Sequence, residues 1–349
     1  MQHRSWVLVL SSFTFACGGI AVLPADDDSP TTTTTGGGGD SAAAGSSVST
    51  SVGSGGEGAC GNPCVLAQGF QGGDLALTDT HVIVTSRTNG SVLSIPKAGG
   101  ATTQISQGDA SAGSIALHGD IVVWGGDESI FRAPLIGGAA TVLATIGPHV
   151  GTVTTSGSDV YFVNRQAFGA IHAISLDGTD ERIVVPYASL ANDLGIWAPP
   201  KSWPTLYWVS SDSGLSVLSS LTLDGASTPE SSLQGDTFGA LLGTYEGIYV
   251  ADFYGNSVSR AHPGQAHDLV LSIELPTSLA IDAEWLYVSD FGETDAATGT
   301  IVRVGRTEAT GVDVVAEGLS MPYALAADQE AVYWLEFSEE RAVMRWVKE

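Results

Sequence analysis

The side chains best suited to chemistry in this 349-residue chain fall at recurring places. Asp252, Asp290 and Glu336 each close a short run of apolar and aromatic residues, and Asn164 and Ser210 hold the same place after similar runs. Hard cations take carboxylate and amide oxygens as ligands. Asp252 and Asp290, together with Asn192 and Asp193, are therefore candidate ligands for a divalent cation such as calcium. The competing reading is structural: an acid at a fixed repeat position accepts backbone N–H groups at a turn or pairs with an Arg of a nearby strand. That reading carries more weight. Asn192 and Asp193 are moreover adjacent, and neighbours on a strand point to opposite faces. No G-x-S-x-G elbow, phosphate-binding loop or H-E-x-x-H motif is present. No catalytic residue and no organic cofactor are assigned. The seven histidines are scattered, and His172 and His262 read as surface residues.

Three cysteines complete the reactive inventory. Cys60 and Cys64 enclose Gly61, Asn62 and Pro63, turn residues that permit a tight loop. A disulfide staple is expected in an oxidising compartment. A metal site would need two further ligands, and a redox pair would need a helix to activate it. Cys17 lies at the end of a short apolar stretch, Trp6 to Ala16, preceded by His3 and Arg4. A bilayer span takes roughly 20 residues, so this stretch has the length of a signal-peptide core. The run Phe15-Ala16-Cys17-Gly18-Gly19 resembles a bacterial lipoprotein processing site. The resemblance implies that Cys17 is diacylated and becomes the N-terminus, and that the protein sits in the outer membrane or at the cell surface. Cleavage elsewhere would leave it periplasmic or secreted.

The next segment, residues 18–58, contains the Thr31 to Thr35 run, the Gly36 to Gly39 run, and then mostly Ser, Ala and Gly. It has too little to bury to offset its conformational entropy, and it reads as a disordered tether. About 35 such residues span roughly 30–35 Å, enough to hold a domain clear of a membrane. Residues 1–17 are thus the leader, 18–58 the tether and 59–349 the globular part. The chain carries 13 Lys and Arg against 38 Asp and Glu, a formal charge of -25. Binding nucleic acid or anionic lipid headgroups needs a basic footprint, which this balance argues against. Membrane contact is expected through the lipid alone.

What must position the candidate residues is a repeat. Val82-Ile83-Val84, Val122-Val123-Trp124, Val160-Tyr161-Phe162, Leu206-Tyr207-Trp208, Ile248-Tyr249-Val250, Leu286-Tyr287-Val288 and Val332-Tyr333-Trp334 are spaced by 40, 38, 46, 42, 38 and 46 residues. A period near 40 built from β-branched and aromatic residues is that of a propeller blade. A small-residue strand precedes each copy and a third strand follows, as Ile130-Phe131-Arg132 and Ile301-Val302-Arg303 show. The last copy stops after its third strand, while Val65 to Phe70 reads like the fourth strand at Val314 to Leu319. The expectation is an all-β propeller of about seven four-stranded blades, closed by the N-terminal strand on the last blade. Six or eight blades remain open because Trp197 to Pro204 interrupts the fourth. Inner-strand starts would line a central channel, placing His149, Asn192, Asp193, Thr277 and Tyr323 at its mouth. The Trp and Tyr stripe reads as packing between blades.

Tyr207-Trp208-Val209-Ser210 and Tyr333-Trp334-Leu335-Glu336 resemble YWTD propeller repeats. Tyr249-Val250-Ala251-Asp252 and Tyr287-Val288-Ser289-Asp290 resemble the NHL variant. The downstream Arg260, Arg303 and Arg345 match as well. The resemblance implies a binding or scaffolding module for a protein or glycan. Weaker resemblances, to sugar-lactonase-like and lyase-type propellers, imply instead a metal-dependent hydrolase or lyase in the channel. Asn192 and Asp193, or His149, would then serve that site.

Overall fold

A computed structural model of the chain describes residues 17–19 and 62–348, apart from 149, 167–168, 189–190, 200, 213–214, 263–267, 294–295, 307–310 and 338–340. Cys60, His149 and nearly all of the leader and tether lie outside the described residues.

β-Branched and aromatic segments form antiparallel hairpins, and seven sheets of four antiparallel strands result, one of them extended by a short parallel strand. Two strands precede the repeats: β1 (Cys17–Gly19) and β2 (Cys64–Ala67). Blade 1 comprises β3 (Gly72–Leu77), β4 (His81–Ser86), β5 (Ser91–Pro96) and β6 (Thr103–Gln107). Blade 2 comprises β7 (Ile115–His118), β8 (Ile121–Gly125), β9 (Ser129–Pro134) and β10 (Thr141–Thr145). Blade 3 is β11 (Val150–Ser156), β12 (Asp159–Asn164), β13 (Ala170–Ser175) and β14 (Arg182–Val185). Blade 4 is β15 (Asp193–Trp197), β16 (Thr205–Asp212), β17 (Leu215–Thr222) and β18 (Glu230–Gly235). Blade 5 is β19 (Phe238–Thr244), β20 (Gly247–Asp252), β21 (Ser257–Ala261) and β22 (Asp268–Ser272). Blade 6 is β23 (Pro276–Ile281), β24 (Trp285–Asp290), β25 (Gly299–Gly305) and β26 (Val312–Leu319). Blade 7 takes β27 (Pro322–Ala327), β28 (Ala331–Glu336) and β29 (Val343–Val347) from the end of the chain.

Its fourth strand is β2, which pairs antiparallel with β29 in the register Cys64↔Arg345 and Val65↔Met344. The ring thereby joins the two ends of the globular part and leaves no blade short of an outer strand. Cys64 is disulfide-bonded. The short strand β1 runs parallel to β19, pairing Cys17↔Ala240 and Gly19↔Leu242.

All seven repeated tripeptides form second strands. Their large side chains fill the space between blades: Trp124, Trp334, Tyr207, Tyr249, Tyr287, Tyr333 and Phe162 are fully buried. There are accordingly seven apolar cores, one at each blade boundary. Inner strands carry alanine where they crowd the axis, as Ala76, Ala116, Ala240, Ala280 and Ala326 do. Most inner strands begin with a register shift against the second strand, for example between Gly72 and Leu75, Val150 and Val153, and Phe238 and Ala240. Such a bulge re-aims the side chain at the strand's start. Blade 4 keeps its four strands, and the interrupting residues 198–204 form the connection between β15 and β16.

One histidine departs from expectation. His172 lies on β13 but is not a surface residue: its side chain is only 14% exposed. Its ring stacks on Phe162 at 5.4 Å and its Nδ1 lies 3.1 Å from Glu181. A third-strand position faces a neighbouring blade on alternate residues, and sequence alternation alone does not say which.

Candidate functional site

Two inner-strand starts place buried carboxylates, Asp74 at the register shift of β3 and Asp193 at the regular start of β15. Asp74 and Asp193 are each 1% exposed. Asp74 accepts the N–H of Leu75 at 2.8 Å and, from the next blade, that of Ile115 at 3.2 Å. Asp193 repeats the pattern with Leu194 at 2.9 Å and Leu241 at 2.8 Å. Hydroxyls do the same work elsewhere: Ser114 accepts from Val153 at 3.2 Å, and Ser278 from Leu325 at 2.9 Å. An inner strand presents N–H groups to the channel side that no sheet neighbour takes up, and a side chain of the preceding blade satisfies them. Burial pushes the Asp74 carboxyl up to about 7, against the pull of the Ile115 and Leu75 N–H groups and of Arg87. Burial pushes Asp193 well above the usual carboxylate range, and the Asp74 charge adds to it.

The other expected ligands are engaged with backbone or side-chain groups of their own surroundings. Asp252 accepts from the N–H groups of Asp236, Thr237 and Gly255 at 3.1, 2.9 and 3.0 Å. Asp290 accepts from Gly292 at 2.8 Å, and Asn164 from Gln166 at 3.0 Å. Glu336 accepts from the Trp334 indole at 3.2 Å. Asn192 donates to Ser211 at 3.0 Å. Asn192 and Asp193 thus turn to different partners, and the structure does not bring them together with Asp252 or Asp290. Among the described residues no three His, Cys, Asp or Glu side chains are arranged to hold a metal ion. Thr277 and Tyr323 lie buried at the starts of β23 and β27, where they bond across blade boundaries to the carbonyls of Pro322 at 3.1 Å and Gly72 at 3.0 Å.

The side chains that give this mouth its character come one residue later. Ser86, Asn164, Asp252, Asp290 and Glu336 pair with Gly72, Val150, Phe238, Pro276 and Pro322, the first residues of their inner strands. The residues that follow are Arg87, Arg165, Phe253, Phe291 and Phe337. Three of them donate the same backbone bond to the residue before the inner strand, from Arg87 to Gln71 at 2.8 Å, Phe253 to Thr237 at 2.7 Å and Phe291 to Leu275 at 3.1 Å, and Phe337 donates one residue earlier, to Ser320 at 3.1 Å. One repeat position therefore carries phenylalanine on blades 5, 6 and 7 and arginine on blades 1 and 3. All five are half-buried. Phe253 and Phe291 meet edge to face at 6.2 Å, and the exposed Tyr254 stands edge-on to Phe253 at 4.9 Å. Room for Arg165 comes from Gly151 on β11, where an added Cβ would lie 3.3 Å from the Arg165 Nε and 2.7 Å from the Val163 Cβ. Sequence reasoning fixed on the acids and missed the position beside them. Aligning the repeats on their second strands brings it into register.

At the opposite end of the ring, the turns between first and second strands of blades 1, 5, 6 and 7 enclose a cavity of about 570 Å³. Lys97, Asp282, Arg306 and Asp328 line it, and each is in an ion pair between blades: Lys97 with Asp328 at 2.7 Å, Arg306 with Glu246 at 3.0 Å, and Asp282 with Lys348.

The fold makes this chain a seven-bladed β-propeller. Its architecture is similar to that of virginiamycin B lyase from Staphylococcus aureus, with a TM-score of 0.65 and 14% identity over 82% of this chain and 98% of that one. It is also similar to the WD40 propeller domain of Doa1, at TM-score 0.60 and 13% identity over 82% and 97% of the two chains. PorZ, a bacterial surface component of the type-IX secretion system of Porphyromonas gingivalis, matches at TM-score 0.55 and 15% identity over 83% of this chain and 39% of PorZ. No family model matches the chain, and no curated protein sequence matches it.

Proposed function

We propose that the protein is an exported, lipid-anchored binding module whose propeller takes a protein partner on the face where the inner strands begin. The observation that carries this reading is the aromatic cluster of Phe253, Tyr254 and Phe291 on that face, with Tyr254 55% exposed, set beside half-buried arginines. Aromatic residues and Arg are the side chains enriched in protein interfaces. Asp193 and Asp252, acids that a metal-dependent hydrolase or lyase would use, spend both oxygens on backbone N–H groups, and Asp290 spends one, which supports binding over turnover. The leader ending in Cys17 and the tether at 18–58 support export and anchoring, with the protein carried in the outer membrane or at the cell surface.

Two measurements test this. A photo-crosslinking residue at Tyr254 should capture one discrete protein on intact cells, whereas the same residue at Ile136, on the turn after β9, should not. Capture of a glycan at Tyr254 would move the reading to carbohydrate recognition, and equal labelling at both positions would remove it. Separately, Cys17→Ser should abolish incorporation of labelled fatty acid and move the protein from the membrane to the soluble fraction. An unchanged distribution would defeat the anchor.

A further inference from the structure

The cavity at the end of the ring where the inner strands finish plays no part in the binding face. Its volume, about 570 Å³, lies within the range of small-molecule sites. The first turns of blades 1, 5, 6 and 7 enclose it. Behind it the channel is occupied by β1, which lies against the inner strands of blades 1, 3, 4, 5, 6 and 7. β1 pairs with Ala240 to Leu242 and so stops short of Thr244, the β19 residue that lines the cavity.

The charges of the wall are largely matched. Lys97 pairs with Asp328, Asp282 with Lys348 and Arg306 with Glu246. What is left over is of three kinds. Asp79, Gln329 and Glu330 are exposed on the turns of blades 1 and 7, and their side chains make no hydrogen bond or ion pair among the described residues. One donor is left as well. The Arg306 side chain is only 5% exposed; its Nη1 donates to the carbonyls of Asp282 and Ala283 and its Nη2 lies 3.0 Å from Glu246, but its Nε is buried without an acceptor among the described residues. A buried N–H left unpaired in a cavity wall calls for an acceptor from outside the chain. Finally there is apolar surface: Leu77, Ile281, Ala283 and Ala327, and the ring of Tyr245, which is 53% exposed and has the Arg306 guanidinium 5.2 Å from its centroid.

We infer that this cavity binds a neutral polyhydroxylated ring, a sugar, with its hydroxyls on Asp79, Gln329, Glu330 and the Arg306 Nε and one C–H face on Tyr245. A hydroxyl donates and accepts at once, so it serves a carboxylate and an N–H in the same wall. The aromatic face takes the apolar side of the ring. An ion of either sign fits less well: an anion meets Asp79 and Glu330, and a cation meets Lys97 and Arg306. The inference goes beyond the reading of the opposite face and does not depend on it. Two sources present this chemistry, a free monosaccharide and the terminal sugar of a glycan.

The test is saturation-transfer NMR followed by calorimetric titration of the full-length protein. The probes are the methyl glycosides of glucose, galactose, mannose and N-acetylglucosamine, the charged analogues glucuronate and glucosamine, and the trisaccharides maltotriose, mannotriose and chitotriose. At least one neutral glycoside should bind, about tenfold more tightly than the charged analogues. Tyr245→Ala and Glu330→Ala should each weaken it about tenfold, whereas Tyr245→Phe, which keeps the ring, should leave it unchanged. Melting temperature confirms that each variant is folded. A trisaccharide that binds about tenfold more tightly than its methyl glycoside assigns the cavity to a glycan end; equal affinities assign it to a free sugar. Charged analogues binding as well as neutral ones, or binding that Tyr245→Ala leaves untouched, overturns the inference. β1 runs toward this end of the ring, so the chain continuing from it is the competing occupant, and the absence of any sugar binding overturns the inference in its favour.

Discussion

The two halves of the ring are joined by different chemistry at one repeat position. On six of the seven blades the residue after the third strand donates a backbone bond to the first turn of its own blade: Lys97 to Thr80, Leu135 to Asp120, Leu176 to Ser158, Leu223 to Pro204, Arg306 to Glu284 and Lys348 to Glu330. On blades 6, 7 and 1 this residue is a cation, and it pairs with an acid on the first turn of the preceding blade, respectively Glu246, Asp282 and Asp328. On blades 2, 3 and 4 it is leucine, and it packs into the apolar core at the same boundary. The acid changes with its partner: where Asp282 and Asp328 accept turn N–H groups, blade 1 has Thr78, opposite Leu135. One backbone frame thus accepts an ion pair or an apolar contact. The two differ in what happens when half of the contact is removed. A leucine truncated leaves a void; a cation unpaired leaves a charge in a place with little water.

The largest effect should follow from unpairing the most enclosed joint. Asp282 is 5% exposed in its side chain and Lys348 13%. Asp282 also accepts from the Tyr287 hydroxyl at 2.8 Å and from the N–H groups of Glu284 and Trp285 at 2.8 and 2.7 Å. Asp282→Ala should cost about 3–5 kcal/mol in chemical denaturation, because Lys348 and Tyr287 are left without their acceptor. A loss below about 1 kcal/mol would show that water replaces the carboxylate and that the ionic half is not sealed.

The ionic joints and the channel carboxylates should respond to pH in opposite directions. Burial raises the Asp282 and Asp328 carboxyls, but their lysines and turn N–H groups outweigh it, and both sit below the usual range. Their stabilisation is therefore present above the ordinary carboxylate value, near 4, and is lost as pH falls through their lower folded values. Asp74, raised to about 7, stabilises most below pH 4, and that stability is lost as pH rises toward 7. Its share is up to about 4 kcal/mol on the linkage relation. Asp74→Asn should flatten the decline in melting temperature between pH 4 and 7 while leaving the acid limb in place. A decline unchanged in the variant would mean that the Asp74 carboxyl titrates in the folded protein as it does in the unfolded chain.

A smaller loss is expected in the apolar half. Leu176 is half-buried among Val160, Phe162 and Ile174. Leu176→Ala should cost about 1–2 kcal/mol, toward the low end for such truncations because the site is not fully enclosed. It should also leave the salt dependence of unfolding unchanged, whereas disrupting Lys97–Asp328 should reduce it. A salt response from Leu176→Ala would dissolve the distinction between the halves.

How far the sequence carries depends on whether a feature repeats in residue type or only in position. The second strands repeat in type, so their 40-residue period placed all seven, and with them the buried Trp and Tyr residues. The closing strand was legible because Val65 to Phe70 keeps the pattern of Val314 to Leu319. The mouth was not, because its shared position holds arginine on two blades and phenylalanine on three. The acid beside it repeats in type, yet its chemistry is spent on turns. Asp74 gave less signal still. Its burial depends on a bulge in β3 and on an N–H from the next blade, and neither is written in the residues around it.

The joint position invites a transplant between the halves. Thr78 accepts the His81 N–H at 2.9 Å as Asp282 accepts that of Trp285, so Thr78→Asp keeps the turn bond while adding a carboxylate toward blade 2. Leu135→Lys alone should cost about 1–2 kcal/mol, since it removes an apolar contact and supplies no partner. Thr78→Asp alone should change little, its carboxylate lying on a turn open to water. If the frame sets the geometry, the double variant should recover about 1 kcal/mol relative to the sum of the singles, a coupling within the range of partly buried pairs. That recovery should vanish in high salt. Additive singles would mean that the ionic half owes its pairs to local backbone differences on blades 5 to 7, not to a position all blades share. The coupling is the smallest number in the series, and it alone separates a frame that tolerates either chemistry from two halves built differently.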